Sequence, residues 1–443
     1  MTTFTIEDSA NYAAQVVRVP KPFSLPNADR LVGLGIFGYT VITAKDGEIR
    51  EGDLAVFFPA ESQLSHSLAS GAALYRHTEL NAYPTAKPGY LEDNRRVRAL
   101  KLRGTVSNGL LLPLAEFARV MGVPAKDFVE GVAFDHIDGV EVSRKYRVKE
   151  PAEQRSREQA NVKKAFKRVD AAMFPVHIET DQYLGNEHLL ADDDVLIVTQ
   201  KLHGTSFRVG RVPVRRKLTW LERLAKRIGV KVAESERDVV FGSRQVIKDA
   251  RNPNQQHFYG ADLWTQHGEE IAHKIPDNVI VYGELVGWTT DGAPIQAGHT
   301  YGFPRGERGL YVYRVSIVTD GGELYDLSWD QVRTFANEHG LEHVPELWRG
   351  PKRDFVLENF VENNFAADHA ALARVGILGI YRDIPVPLSD DGTGADEGIA
   401  IRVDRGGRVP LLFKYKNASH YVYETKQLDA GEVDLEAEES VAA

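Results

Sequence analysis

From Val198 to Phe207 the chain reads Val-Thr-Gln-Lys-Leu-His-Gly-Thr-Ser-Phe, a strand pattern running into a tight glycine turn with Lys201 delivered at the strand's end. A lysine so placed can bind phosphate as a cation or act as a nucleophile. An isolated K-x-x-G segment is more often a solvated lysine before an ordinary turn; this one gains weight from its company downstream. Glu284 stands in Tyr282-Gly-Glu-Leu-Val-Gly287, just after a strand pattern and between glycines that permit close backbone approach. Glu397 stands just before a strand pattern in Asp396-Glu-Gly-Ile-Ala-Ile-Arg402. Lys414 and Lys416, in Leu412-Phe-Lys-Tyr-Lys416, share one face of a strand because side chains alternate with period two. Arg244 follows a glycine in Phe241-Gly-Ser-Arg244. Each segment alone reads as surface charge beside a turn; together and in this order they are specific.

The elements that must position these residues fall into two parts. Residues 1–145 carry short apolar runs, Ala13 to Val19, Leu31 to Phe37 and Asp53 to Phe58, separated by Gly, Pro, Asn and Asp. That spacing predicts a small β-barrel, and a five-stranded oligonucleotide/oligosaccharide-binding (OB) module fits the length, although strand count alone leaves other small barrels open. Residues 146–170 are densely charged without apolar alternation and read as a linker. Residues 171–425 mix strands (Val195 to Val198, Val279 to Tyr282, Leu310 to Ile317, Gly398 to Val403) with helical periodicity at Trp329 to His339 and Asp354 to Asn364. Strands and helices come irregularly, so the predicted class is α+β rather than doubly wound. Residues 426–443 are acidic and alanine-rich and read as a disordered tail.

Ordered this way, the motifs resemble those of the covalent nucleotidyltransferases, which comprise DNA ligases, mRNA capping enzymes and ATP-dependent RNA ligases. That superfamily runs from a nucleophilic K-x-x-G through G-E, an aromatic strand and E-G to K-x-K. The chain supplies Lys201 to Gly204, Glu284, Tyr311 and Tyr313, Glu397 and Gly398, and Lys414 with Lys416. His203 at the third motif position resembles the RNA-ligase branch, where DNA ligases and capping enzymes carry aspartate. Gln200 and Ser206 depart from that branch, which commonly has an acidic residue before the lysine and an asparagine two positions after the glycine. The stretch Arg98 to Leu110 is similar to the OB module that precedes the transferase domain in nick-sealing RNA ligases. It holds a second K-x-x-G, Lys101 to Gly104, whose partner motifs would lie too far away.

The resemblance implies a lysyl-AMP mechanism with ATP and Mg2+ or Mn2+. Lys201 would be the nucleophile; a free lysine titrates near ~10.4, and neighbouring cations would lower that. Glu284 and Glu397 would hold metal or ribose. Lys414, Lys416 and Arg244 would neutralise phosphate charge, with His203 and Gly204 lining the nucleotide site. Tyr313 would offer a face for adenine. The implied substrate is an RNA end or nicked duplex with an RNA 3′-OH; a DNA ligase, a guanylyltransferase or a non-catalytic nucleic-acid binder are the alternatives.

Composition bounds the rest. The chain has 443 residues, no cysteine and a net charge of −9. Disulfides, thiolate metal sites and cysteine nucleophiles are therefore excluded. No apolar run reaches the ~20 residues that span a bilayer, and no secretory signal is visible. A cytoplasmic monomer is expected. The acidic total does not exclude RNA, because local basic surface binds phosphate. Such a surface is predicted at Arg211 to Ile228, where Trp220, Leu221, Leu224 and Ile228 have helical spacing with Arg223, Lys226 and Arg227 outward; it reads as a solvated amphipathic helix or a clamp on RNA.

Overall fold

The computed structural model describes residues 2–83, 87–147, 168–248, 263–360, 382–388, 394–406 and 409–430. Most of the expected linker (148–167), most of the expected tail (431–443) and the end of the predicted helix at 361–364 lie outside the described residues. The chain divides into two compact units.

The first unit gathers Met1–Val148, Asp181–Leu189 and Lys416–Glu432. Its main strands are β1 (Ala14–Arg18), β2 (Leu31–Ile36), β3 (Tyr39–Ala44), β4 (Leu54–Pro59), β5 (Leu100–Leu102), β6 (Thr105–Ser107) and β7 (Gly109–Pro113). β4 lies between β1 and β7, antiparallel to both, and β2 pairs with β3 as a hairpin. Helix α1 (Leu114–Met121) buries Leu114, Phe117 and Ala118, the i, i+3, i+4 stripe of an amphipathic helix, and stops at Gly122 in the left-handed region. These pack with Val16, Val56, Phe58, Leu112 and Phe134 into one core. The second K-x-x-G is the β5–β6 hairpin turn: Arg103 and Gly104 have φ of 51° and 94°, and Lys101 points to solvent. Its glycine is required by backbone conformation.

A late segment belongs to this unit. A helix runs Ala418–Asp429, four residues past Thr425, where tail was expected to begin. Arg96 fixes it: the guanidinium donates to both Glu61 oxygens at 2.7 and 2.8 Å and to Asp429 Oδ1 at 3.1 Å, while Thr425 Oγ1 donates to Glu61 at 2.8 Å. Arg96 and Glu61 are buried, so their pairing is obligatory.

The second unit holds Leu190–Tyr415 and contains two sheets whose main strands pair antiparallel. Its strands are β8 (Val195–Lys201), β9 (Thr205–Arg215), β10 (Ser235–Gly242), β11 (Val279–Gly287), β12 (Arg308–Val318), β13 (Glu346–Pro351), β14 (Gly398–Val403) and β15 (Leu411–Lys416). One sheet has the order β15-β14-β8-β13; the other runs β10-β9-β11-β12 with short strands on both edges. Leu196 to Gln200 are buried in sequence, as a strand covered on both faces requires. The helix predicted from Trp329 forms as Trp329–Glu338, started by a reciprocal cap between Ser328 and Gln331. The helical reading after Asp354 is corrected through residue 360: short 3₁₀ turns form at Lys352–Asp354 and Leu357–Phe360. Phe355 packs on Trp348 at 5.4 Å and stacks on Phe360 at 5.7 Å, and these aromatic anchors outweigh the helical period. The predicted basic helix forms as Trp220–Arg227 between β9 and β10, with no buried residue.

Candidate active site

Lys201 ends β8 in one sheet and Thr205 begins β9 in the other, so the K-x-x-G segment is the crossover between the two sheets. β14 flanks β8 with Lys201 opposite Gly398, which places Glu397 beside the lysine. Lys201 Nζ lies 2.8 Å from Glu397 Oε1, and His203 Nδ1 lies 3.8 Å from Glu397 Oε2. The Glu397 side chain is 3% exposed and that of Lys201 27%, a buried carboxylate facing an accessible amine.

Gly204 has an ordinary negative φ; its need for glycine is steric. A Cβ there would lie 2.3 Å from the Leu285 carbonyl oxygen and 2.7 Å from Val286 Cγ1. β11 therefore passes hard against the crossover. The contact is locked from three sides: Gly204 N–H donates to Glu284 Oε1 at 3.0 Å, Gln296 Nε2 donates to Gly204 O at 3.0 Å, and the His203 N–H donates to the Tyr301 hydroxyl at 2.7 Å. Burial holds the Tyr301 hydroxyl well above the usual phenol range, so it remains neutral.

The fold brings together Lys201 from the end of β8, Glu284 from β11, Glu397 from just before β14, and His203 and Gly204 from the crossover. Lys414 sits on β15, whose Phe413 and Tyr415 are buried while both lysines lie on the less buried face. Lys416, the terminal residue of β15, belongs to the first unit, where its Nζ meets Glu424 at 3.1 Å. Arg244 occupies the turn after β10. Tyr313 falls at a bulge in β12, where the register slips between Tyr282 and Gly283, and its hydroxyl is 2.6 Å from His177 Nδ1.

Several contributors carried no local signal. Gln200, noted in the sequence as a departure, is buried and uses its amide like a strand: its Nε2 donates to Val386 O at 2.7 Å and its Oε1 accepts from Val386 N at 2.8 Å. It thus anchors the residue before the lysine to a segment 186 positions later. Gln296 and Tyr301 hold the crossover from a loop with no recognisable motif. His299 is buried and packs edge-on against His203 at 4.7 Å.

Comparison with known proteins agrees with this arrangement. An OB-fold domain model matches residues 13–114. No curated protein matches the chain. Among solved structures, a point variant of Naegleria gruberi RNA ligase in its apo form is 14% identical, with 94% of this chain and 98% of that one covered at a TM-score of 0.54. The same enzyme with PPi is 15% identical, covering 94% and 98% at 0.51. A variant with ATP and Mn is 13% identical, covering 92% and 98% at 0.52. These likenesses establish the shared fold, an N-terminal OB domain followed by a mixed α and β ligase domain. A model of the RNA ligase family matches residues 194–416, half of the chain and every residue of the crossover site, and the chain belongs to that family.

Proposed function

We propose that the protein is an ATP-dependent RNA ligase that seals 3′-OH and 5′-phosphate ends through a lysyl-AMP intermediate. The observation that carries this reading is the 2.8 Å contact between Lys201 Nζ and Glu397 Oε1 at a crossover braced by Glu284, Gln296 and Tyr301. An ammonium cannot attack phosphorus, so Lys201 must shed a proton; Glu397 fixes the position of its Nζ, and the positive charge of Lys414 and Lys416 favours the neutral amine. The freed amine then attacks the α-phosphorus of ATP and expels pyrophosphate. AMP passes from Lys201 to the RNA 5′-phosphate, and the 3′-hydroxyl displaces it to form the phosphodiester.

In this reading Lys414, Lys416 and Arg244 offset charge on the phosphates, His203 and Gly204 border the nucleotide, and Tyr313 stacks on adenine. Two glutamate carboxylates converging on one crossover are hard oxygen donors, the set that suits Mg2+ or Mn2+. Glu284 and Glu397 would hold such an ion, which supplies charge neutralisation at the phosphates. No described helix is long and apolar enough to cross a membrane. The reading includes a monomer acting in the cytoplasm.

Incubation with α-labelled ATP and magnesium tests the mechanism. The native protein is expected to retain label after denaturation and Lys201→Ala to retain none; label on the variant overturns the assignment of the nucleophile. Duplexes nicked after a ribose or after a deoxyribose then separate RNA from DNA sealing.

A further inference from the structure

The first unit contains a cavity of about 370 Å³ that the proposed chemistry does not use. It is formed where residues 181–189 pack on the β2–β3 turn: Leu184 comes against Gly38, and Gly185 against the Phe37 ring. Phe37 and Phe57, 5.9 Å apart, and Tyr39 and Tyr421, also 5.9 Å apart, line it. Its polar lining is chiefly carboxamide, including Asn11, Gln15, Asn108 and Asn186. No lysine or arginine is among the described residues that line it, and Asp181 is its acidic member. Asn108 supplies an independent observation: it is 4% exposed, and its Oδ1 has no hydrogen-bond partner among the described residues. A buried acceptor left unsatisfied is costly, a penalty that a ligand's N–H group would relieve.

These features define the occupant by chemistry. Aromatic walls suit a planar ring, and carboxamides offer the paired donors and acceptors that a base edge requires. A described lining with no lysine or arginine, holding one carboxylate and the imidazole of His188, suits a neutral group better than a phosphate. The volume lies at the lower end of small-ligand sites. We propose that this cavity binds a single neutral nucleobase, contributed by an unpaired nucleotide of an RNA strand whose phosphates stay outside. Binding at this cavity does not require Lys201 to be adenylated.

Saturation-transfer NMR on the full chain, with each of the four ribonucleosides and with short oligoribonucleotides, tests this. One position of each oligonucleotide is made abasic in turn. Two variants accompany the native protein: Ala10→Trp, which plugs the exposed rim, and Asn108→Leu, which removes the buried acceptor; thermal melting confirms that each is folded. Base-proton saturation is expected with the native chain. Affinity should fall at least tenfold in Ala10→Trp and at least fivefold in Asn108→Leu, while lysine labelling by ATP is unchanged. Loss of binding at one abasic position supports the strand as source; nucleoside binding with no oligonucleotide preference overturns the strand and leaves a free nucleoside as ligand. Binding that is absent, or indifferent to Ala10→Trp, overturns the site itself. A protein that fails to label with ATP but shows this pattern refutes the ligase mechanism and retains the cavity.

Discussion

Gly204→Ala isolates the crossover geometry in one methyl group. The new Cβ would sit 2.3 Å from the Leu285 carbonyl oxygen. A relaxed C···O contact needs ~3.3 Å, so the crossover must retreat by about 1 Å. Leu285 cannot yield instead, because β11 is paired with β9 on one side and β12 on the other. Retreat stretches the 3.0 Å bonds to Glu284 and Gln296 and carries Lys201, three residues away, out of line. Overpacking of this kind costs ~1–3 kcal/mol, and a 1 Å displacement of a reacting group costs on the order of 100-fold in rate. Single-turnover labelling of Lys201 by ATP reads the second effect, and urea denaturation reads the first. Gly35→Ala is the control, since a Cβ there meets nothing within 4 Å. Labelling of folded Gly204→Ala at more than a third of the native rate would refute the argument that close approach, and not turn flexibility, selects this glycine.

Three further outcomes are expected. Arg96→Met leaves Glu61 buried without its bidentate partner and should destabilise the first unit by ~3–5 kcal/mol, measured by thermal or urea unfolding. Burial depresses His267 to about 4 from an unfolded value of 6.5, so the unfolded chain binds the extra proton first as pH falls. Stability from this residue is intact above the unfolded value and is lost between about 6.5 and 4, a drop on the order of 3 kcal/mol that His267→Gln should largely abolish. At the basic lobe, Arg215 and Arg216 are engaged by Asp170 and Glu222, whereas Lys217, Arg227 and Lys231 are exposed with no ion-pair partner among the described residues. If the lobe clamps RNA, replacing those three with alanine should reduce the slope of log affinity against log salt by about 2–3; an unchanged slope removes the clamp.

The legibility of the site varied with the range of the interaction behind it. Lys414 and Lys416 could be placed on one face from strand periodicity alone, and the basic helix from its apolar spacing. Gln200 could not be interpreted, because its partner Val386 lies in a distant segment with no pattern of its own. The reading after Asp354 failed for the same reason: a local helical period yielded to aromatic contacts supplied by Trp348. The Arg96 anchor likewise joins Glu61 to Thr425 and Asp429, so no window of sequence could have assigned the last helix to the first unit.

By itself the sequence determined the chemical inventory: one lysine in a K-x-x-G, two glutamates beside glycines, a K-x-K strand and an α+β frame to carry them. Residue type and periodicity are local properties, and they survive in a linear string. Tertiary structure decided which of two K-x-x-G segments makes a crossover and which a hairpin. Gly104 answers to its own backbone torsion, whereas Gly204 answers to a carbonyl 81 residues away along the chain. The partnership of Lys201 with Glu397 was decided the same way, by the antiparallel register that sets Gly398 opposite the lysine.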